Sequence, residues 1–174
     1  MTWATENGKH EAWVAAFFGD GAISVGSGPQ GLAVSASAGG EVDEWRPAEN
    51  AIGWIGACSC GWRSTPWVRV TDATEQDLAE HRAFGDILYE GQMVFDECPR
   101  EVEQAVHVEW KRHIEPDVLL GEIAELTARR REVDELLAAT VAQARRLRVA
   151  WEDIGRAAGG ITRQSAWERW RDNT

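Results

Sequence analysis

The sequence predicts an α+β protein with a small N-terminal antiparallel β domain, a long helical connector and a C-terminal helix-turn-helix. Three observations lead to this fold class. Residues 1–70 are short apolar runs separated by glycine, the chain then becomes polar and helical, and its end contains two short helical patterns joined by paired glycines. We therefore expect domains at residues 1–70, 71–116 and 117–174.

The β domain is predicted from alternating apolar runs and turn residues. Ala12–Phe18 and Ala22–Val25 flank Gly19-Asp20-Gly21, which is a strong hairpin pattern. Further strands are expected at Gly31–Ser37, Ala51–Ala57 and Trp67–Val70. A small antiparallel sheet is the simplest arrangement of these strands.

Residues 71–116 are expected to form a helical segment. Thr71 or Thr74 is a suitable N-cap for a helix over EQDLAEHRAFGDI, and a second helix is expected at Arg100–Ile114. Pro116 should end that second helix, because the residue before a proline is pushed out of the helical region.

From Asp117 the chain predicts one long amphipathic helix. Its apolar residues follow the alternating spacing of three and four that is typical of coiled coils, with interruptions at Arg130 and Thr140. They are Leu119, Ile123, Leu126, Val133, Leu137, Ala144 and Leu147. Such a helix can pair with a second copy of the chain, or it can fold back on the Arg100–Ile114 helix.

Residues 140–171 predict a helix-turn-helix. A short helix at Trp151–Ala158 should end at Gly159 and Gly160, since glycine readily takes the left-handed conformation that a sharp turn needs. Thr162 is a suitable N-cap for the next helix. The apolar side of that last helix is expected to consist of Ala166, Trp167 and Trp170.

A helix-turn-helix commonly places its last helix in the major groove of DNA. Arginine and glutamine at the N-terminus of this helix suit base-edge readout, because both side chains can make bidentate hydrogen bonds. The side chains expected to face the groove are Thr162, Arg163, Gln164, Ser165, Glu168 and Arg171, and those expected to contact phosphates are Arg145, Arg146 and Arg148. We favour a homodimer, because a single small helix-turn-helix, here called the reader, should bind DNA weakly.

The charge is unevenly divided along the chain. Residues 128–174 contain ten arginines and seven acidic residues, a net charge of +3, whereas the whole chain carries −11. Residues 1–127 therefore carry −14. Phosphate contacts need local positive charge, so this asymmetry favours a basic reader attached to an acidic body. The acidic body would serve solubility or bind a protein partner.

The run WEDIGRAAGGITRQSAWERW resembles the C-terminal helix-turn-helix of many small actinobacterial proteins. The matching positions are Trp151, Ile154, Gly155, Gly159, Thr162, Arg163, Gln164, Ala166, Trp167 and Arg169. Gly160 is a departure, because it makes the turn one residue longer than usual and so affects the tilt of the last helix. The resemblance covers only the C-terminal part of the chain and implies DNA binding.

Cys58-Ser59-Cys60-Gly61-Trp62 is the other pattern with a chemical interpretation. Two cysteines one residue apart can both reach a zinc ion, which takes four ligands, commonly cysteine or histidine. The remaining candidates are His81, Cys98, His107 and His113. The alternative is a pair of packed thiols at the end of a strand, since cysteine is often buried.

The CSCGW element and the later WKRH also resemble actinobacterial proteins with a C-x-CGW and then a W-x-x-H pattern. That resemblance implies Cys58, Cys60 and His113 as zinc ligands and leaves the fourth ligand unassigned. The zinc would be structural, because no acidic residue has the spacing of a general base. His10, near the start of an expected strand, should lie at the surface or on a sheet edge. His107 lies six residues before His113, so the two should face different sides of one helix.

Other sequence patterns bear on where the protein is located and on whether it is an enzyme. No run approaches the roughly 20 apolar residues that cross a bilayer, the N-terminus lacks the order of a signal peptide, and three cysteines do not suggest a secreted disulfide framework. We expect a cytoplasmic protein without a membrane partner. No phosphate-binding glycine loop or nucleophile elbow occurs, so no enzyme is expected.

Two functions follow from these observations. The first is a transcription regulator that binds specific double-stranded DNA through its C-terminal helix-turn-helix and senses a signal or partner through its acidic N-terminal domain. The alternative is an adaptor or inhibitor whose acidic body binds a protein partner while the helical tail only packs.

Overall fold

The computed structural model describes residues 2–38, 40–85, 87–90, 93–96 and 98–173. The chain divides into two compact units, Met1–Pro116 and Asp117–Thr174. The first contains the strands and the second is helical, so the α+β class is confirmed.

Within the described residues of the first unit, eight strands form one sheet. They are β1 Thr2–Ala4, β2 Glu11–Phe17, β3 Ile23–Gly28, β4 Gly31–Ser35, β5 Glu44–Arg46, β6 Gly53–Cys58, β7 Trp67–Val70 and β8 Arg82–Phe84. Their order is β5-β4-β3-β2-β6-β7-β8, with β1 paired to β2. Two further strands, β9 Ile87–Glu90 and β10 Met93–Asp96, pair with each other as a separate antiparallel ribbon.

The predicted hairpin is confirmed as β2 and β3. Its turn is closed by the Phe18 N–H, which donates to the Ala22 carbonyl at 3.0 Å, and by the Gly21 N–H, which donates to the Phe18 carbonyl at 2.9 Å. Gly21 has a φ of +91°, a conformation that glycine adopts without steric cost. The other three expected strands form as β4, β6 and β7, with ends shifted by at most two residues. The sheet is antiparallel as expected except that β8 pairs with β7 in parallel.

The prediction of a helix over EQDLAEHRAFGDI is wrong. Neither expected threonine caps a helix: Asp72 accepts a hydrogen bond from the Thr74 N–H and begins a single 3-10 turn, Ala73–Glu75. The following residues turn back, and Ala83 in β8 is fully buried against the sheet. Tertiary burial therefore overrides a sequence with good local helix propensity. Asp86, which falls within the expected helix, lies outside the described residues.

The expected end of a helix at Pro116 is also wrong. One helix, α1, runs from Arg100 to Arg146. A proline inside a helix lacks the N–H that would bond to the carbonyl four residues earlier, here that of Arg112. Arg112 and Pro116 are both exposed, so solvent can hydrate that carbonyl and the helix continues.

The start of α1 packs on one face of the sheet. Val102, Val106 and Trp110, spaced four residues apart, are buried there. They pack with residues of β2, β6, β7 and β8, including Ala12, Trp54, Cys58, Trp67 and Ala83. This packing places the first part of α1 next to the end of β6.

The second unit contains two short helices after α1. They are α2, Trp151–Ala157, and α3, Arg163–Trp170. Gly159 and Gly160 have φ values of +93° and +78°, so the predicted glycine turn is confirmed. The predicted N-cap is confirmed as well, because the Thr162 hydroxyl accepts from the Ser165 N–H at 3.1 Å.

The core of the second unit joins all three helices. It contains Val141, Ile154, Ala166 and Trp170. Gly155 permits this packing, because a Cβ there would lie 2.5 Å from the Ile161 carbonyl oxygen. The turn between α2 and α3 can therefore lie directly against α2.

No helix in the described ranges combines the length and the apolar character that crossing a membrane requires.

Candidate metal centre and candidate nucleic-acid interface

Four potential metal ligands meet in the first unit. Each of His10, Cys58, Cys60 and His113 offers one ligand atom, and these four atoms lie within 4.8 Å of one another. We call these four residues the His/Cys cluster. Imidazole nitrogen and cysteine sulfur are both common ligands of transition metals, so the cluster could hold a metal ion.

Strand register brings His10 and the two cysteines together. β2 and β6 are antiparallel with Ala12 opposite Cys58. His10 lies two residues before Ala12 and Cys60 two residues after Cys58, so the same register carries them towards each other. His10 also shares the buried face of Ala12, because alternate residues of a strand point to the same side.

A tight turn holds the two cysteines. The Gly61 N–H donates to the Cys58 carbonyl at 2.8 Å, and the Cys58 N–H donates to the Trp62 carbonyl at 3.0 Å. Gly61 has a φ of +95°, which favours glycine. Ser59 fixes the turn to β2, since its hydroxyl accepts from the Glu11 N–H at 3.0 Å.

His113 enters the cluster from α1. It lies three residues after Trp110, so it projects from the same side of the helix as the residues packed on the sheet. Its ring stacks on Trp62 with centroids 5.0 Å apart, and it meets the edge of the His10 ring at 5.2 Å. These aromatic contacts restrict the orientation of the His113 imidazole.

Two of the distances between ligand atoms are close to those around a tetrahedral ion. Cys58 Sγ lies 3.7 Å from His10 Nδ1, and Cys60 Sγ lies 3.2 Å from His113 Nε2. A tetrahedral zinc ion with bonds of about 2.3 Å to sulfur and about 2.0–2.1 Å to nitrogen would separate such atoms by about 3.6 Å. These two distances are close to that value, and no two of the four ligand atoms are more than 4.8 Å apart.

The surroundings shift the pKa values of the two thiols in opposite directions. Burial raises the pKa of Cys58, but the backbone hydrogen bond from Cys60 and the contact with His10 outweigh burial, so this pKa lies below its ordinary value. Burial raises the pKa of Cys60, and the neighbouring Cys58 raises it further. Two thiolates side by side repel each other, whereas a bound cation would favour both.

The cluster is buried on one side and open on the other. His10 is 7% exposed and Cys58 is fully buried, whereas Cys60 is exposed and His113 is partly exposed. An ion can therefore reach the ligands from solvent. Within the part of the chain that the structure describes, no carboxylate belongs to the cluster.

The expected ligands Cys58, Cys60 and His113 are thus brought together, but the expectation for His10 is wrong. His10 lies in the cluster instead of at the surface, because the β2–β6 register carries it inwards. Spacing along the chain does not identify this ligand, because His10 is 48 residues from Cys58 and only the pairing of β2 with β6 brings them together.

The other candidate ligands lie elsewhere. His81 contacts Trp67 edge to face at 4.6 Å, and His107 stacks on Trp3 at 4.5 Å. Cys98 packs at the edge of the apolar cluster around Trp54. None of the three belongs to the His/Cys cluster.

In the second unit, the side chains expected to face DNA extend along α3 from its N-cap, Thr162, to its C-cap, Arg171. Thr162, Arg163, Gln164, Ser165, Glu168 and Arg171 are all exposed. Two of them are engaged in capping, since the Thr162 hydroxyl also lies 2.9 Å from the Ser165 hydroxyl. The Gln164 amide donates to the Glu168 carboxylate at 2.9 Å.

Trp167 differs from its expected position. The sequence predicts it on the apolar side of α3 with Ala166 and Trp170, but those two residues are buried whereas Trp167 is 42% exposed. Residues 163, 164, 167, 168 and 171 share one face by helical spacing, so Trp167 lies among the polar side chains. The Arg171 guanidinium lies 4.7 Å from its ring centroid.

The three arginines expected to contact phosphates have different surroundings. The Arg145 guanidinium donates to the Val149 carbonyl and lies 4.7 Å from the ring centroid of Trp151. Arg146 and Arg148 are exposed, and Arg148 has a φ of +63° in the turn before α2. Arg145 therefore stabilises that turn, while the other two side chains face solvent.

Comparison of the chain with protein-family models, with curated proteins and with solved structures finds no significant match.

Proposed function

We propose that this protein is a sequence-specific DNA-binding transcription regulator that uses residues 140–171 as a helix-turn-helix. The observation that carries the proposal is the exposed face of α3. The opposite side of that helix, through Ala166 and Trp170, is buried in the core of the second unit. Arg163 and Gln164 project from its first turn into solvent.

This arrangement suits recognition of base edges. A buried side and a capped first turn fix the orientation of α3, so its exposed side chains are held ready for binding and lose little conformational freedom. Arginine can make two hydrogen bonds to guanine and glutamine two to adenine, each pair giving about 1–3 kcal/mol of discrimination. An open depression beside this turn is lined by Trp151, Thr162, Arg163, Gln164 and Trp167.

The local charge also supports DNA binding. Residues 145–171 contain seven arginines and three acidic residues, although the whole chain is strongly acidic. Arg146 and Arg148 provide the phosphate contacts in this proposal, because their side chains are exposed whereas Arg145 is engaged with Val149. Phosphate contacts of this kind position a reader without selecting the base sequence.

The active form in this proposal is a homodimer. In the part of α1 that belongs to the second unit, Leu119, Ile123, Leu126 and Val133 are 50–62% exposed. These residues follow the coiled-coil spacing, so a second copy could cover them. Two readers would then bind a two-fold DNA site. The acidic N-terminal unit, with a structural metal ion, serves as the sensing or partner-binding domain.

The test is genome-wide capture of DNA by the purified full-length protein. We expect enrichment of a short two-fold-related motif, and we expect the Arg163→Ala/Gln164→Ala variant to lose it. The matched control is Arg131→Ala/Gln143→Ala, which removes the same residue types from exposed positions of α1. Capture of the same motif by the α3 variant, or of none by the wild type, would contradict the proposal and favour an adaptor whose acidic unit binds protein.

A further inference from the structure

We infer that the His/Cys cluster is a four-ligand zinc site in which His10 is the fourth ligand, and that the ion is structural. The site lies in the first unit and is independent of DNA binding through α3. His10, Cys58, Cys60 and His113 together supply two sulfur and two nitrogen atoms.

The donor set selects the class of metal. Magnesium and calcium prefer carboxylate, carbonyl and water oxygens, none of which is supplied by a side chain of the cluster. Two thiolates with two imidazoles match the ligands of structural zinc sites in proteins. The chemistry of the four side chains therefore points to zinc.

The number and spacing of the ligands distinguish a structural ion from a catalytic one. A catalytic zinc ion commonly has three protein ligands and keeps a fourth position for water or substrate. Here His10 occupies the position that a cluster of three residues would leave open, since its Nδ1 lies 3.7 Å from Cys58 Sγ. With four protein ligands no open position remains.

The ion would connect parts of the unit that are distant in the sequence. His10 precedes β2, Cys58 ends β6 with Cys60 just after it, and His113 belongs to α1. The local apolar cluster here is small, consisting of Ala12, Cys58, Trp110 and Ile114 with Trp3 and Trp62 at its edge. Coordination would hold these three segments together where apolar burial is limited.

The aromatic contacts of His113 are consistent with a structural zinc site. Trp62 stacks on His113 and comes from the same turn as the two cysteines. Aromatic packing of this kind holds the imidazole in a fixed plane, so the site is partly assembled before an ion binds. Surrounding groups that orient a metal ligand commonly alter metal affinity about 10–100-fold when they are changed.

The first measurement is the metal content and zinc-edge X-ray absorption of the full-length protein purified without added chelator. We expect one zinc ion per chain with two sulfur ligands at about 2.3 Å and two nitrogen ligands at about 2.0–2.1 Å. A protein that carries no zinc after reconstitution with zinc salt would overturn the inference.

Variants test His10 itself. His10→Ala should weaken zinc affinity more than about a hundredfold, because it removes a direct ligand and not merely an orienting group. His10→Cys should restore zinc binding with a shell of three sulfurs and one nitrogen, which a purely packing role could not explain. An unchanged shell of two sulfurs and two nitrogens in His10→Ala would overturn the assignment of His10.

Two control variants separate ligation from general damage. Cys98→Ser and His81→Asn change a cysteine and a histidine outside the cluster, and asparagine tolerates the φ of +53° at position 81. Both should keep one zinc ion per chain. Loss of zinc in these controls equal to that in His10→Ala would contradict the inference. Because the readout is the metal shell, the outcome is independent of whether α3 binds DNA.

Discussion

Gly56 shows how a single residue sets the distance between α1 and the sheet. A Cβ at this position would lie 2.4 Å from Val106 Cγ1 and 3.0 Å from Ser64 Oγ. Val106 is fully buried, and the Ser64 hydroxyl accepts from the Gly56 N–H at 2.7 Å, so neither neighbour can move freely. The missing side chain therefore allows α1 to lie close to β6.

We expect Gly56→Ala to lower the free energy of unfolding by about 1–3 kcal/mol, because the added methyl group overpacks this contact. Chemical denaturation monitored by tryptophan fluorescence measures the effect. The control is Gly19→Ala, where an added Cβ would meet no atom within 4 Å and the change should stay within about 0.5 kcal/mol. Equal stability of the two variants would show that α1 does not pack closely on β6.

At the scale of elements, the middle of α1 carries several exposed apolar side chains. Ile123 and Leu126 are 60% and 61% exposed. Both occupy seam positions, which are the positions of a coiled-coil helix that face its partner. Each large apolar side chain that becomes buried contributes about 1.5–3 kcal/mol. In a symmetric dimer every seam residue counts twice, so a few such positions can support a stable pair.

We expect the protein to sediment as a dimer at micromolar concentration. Ile123→Glu should raise the dimer dissociation constant more than about a hundredfold, because it removes about 3–6 kcal/mol of hydrophobic free energy from the pair. Analytical ultracentrifugation gives the dissociation constant. Val118→Glu is the matched control, because Val118 is also exposed on α1 but lies outside the seam. A monomeric wild type, or equal weakening by both variants, would contradict the coiled coil.

At the scale of the whole molecule, each unit has its own apolar core. The clusters around Trp54 and Cys58 belong to the first unit, and the cluster around Ile154 belongs to the second. The His/Cys cluster lies only in the first unit. Removing a bound ion should therefore affect one core and leave the other unchanged.

We expect a zinc chelator to accelerate backbone amide exchange at least about tenfold in residues 8–14, 56–64 and 106–115, because an ion that binds only the folded state stabilises it. Residues 150–171 should exchange at the same rate with and without chelator. Hydrogen–deuterium exchange with mass spectrometry resolves these segments. Uniform acceleration along the chain, or none, would contradict an ion confined to the first unit.

Local patterns were enough to predict several parts of the molecule. The hairpin around Gly21, the strand Trp67–Val70, the turn at Gly159 and the cap at Thr162 each depend on residues a few positions apart. Their conformations follow from backbone sterics, short-range hydrogen bonds and the alternation of apolar residues.

Some local rules failed because the surroundings of the residues, either buried neighbours or solvent, outweighed them. Ala83 is in a strand because it is buried beside β7, although its neighbours favour a helix. Pro116 does not end α1, since its position on the exposed face allows the unbonded carbonyl to be hydrated. Trp167 is exposed because Ala166 and Trp170 already fill the core on the other side of α3.

The His/Cys cluster depends both on local sequence spacing and on contacts between distant residues. The closely spaced Cys58 and Cys60 are visible in the sequence by themselves, and a resemblance added His113. His10 required the structure, because it meets Cys58 across 48 residues through the pairing of β2 with β6. Spacing along the chain determines local conformation, whereas a ligand set is completed by strand register and helix packing, which act between residues distant in sequence.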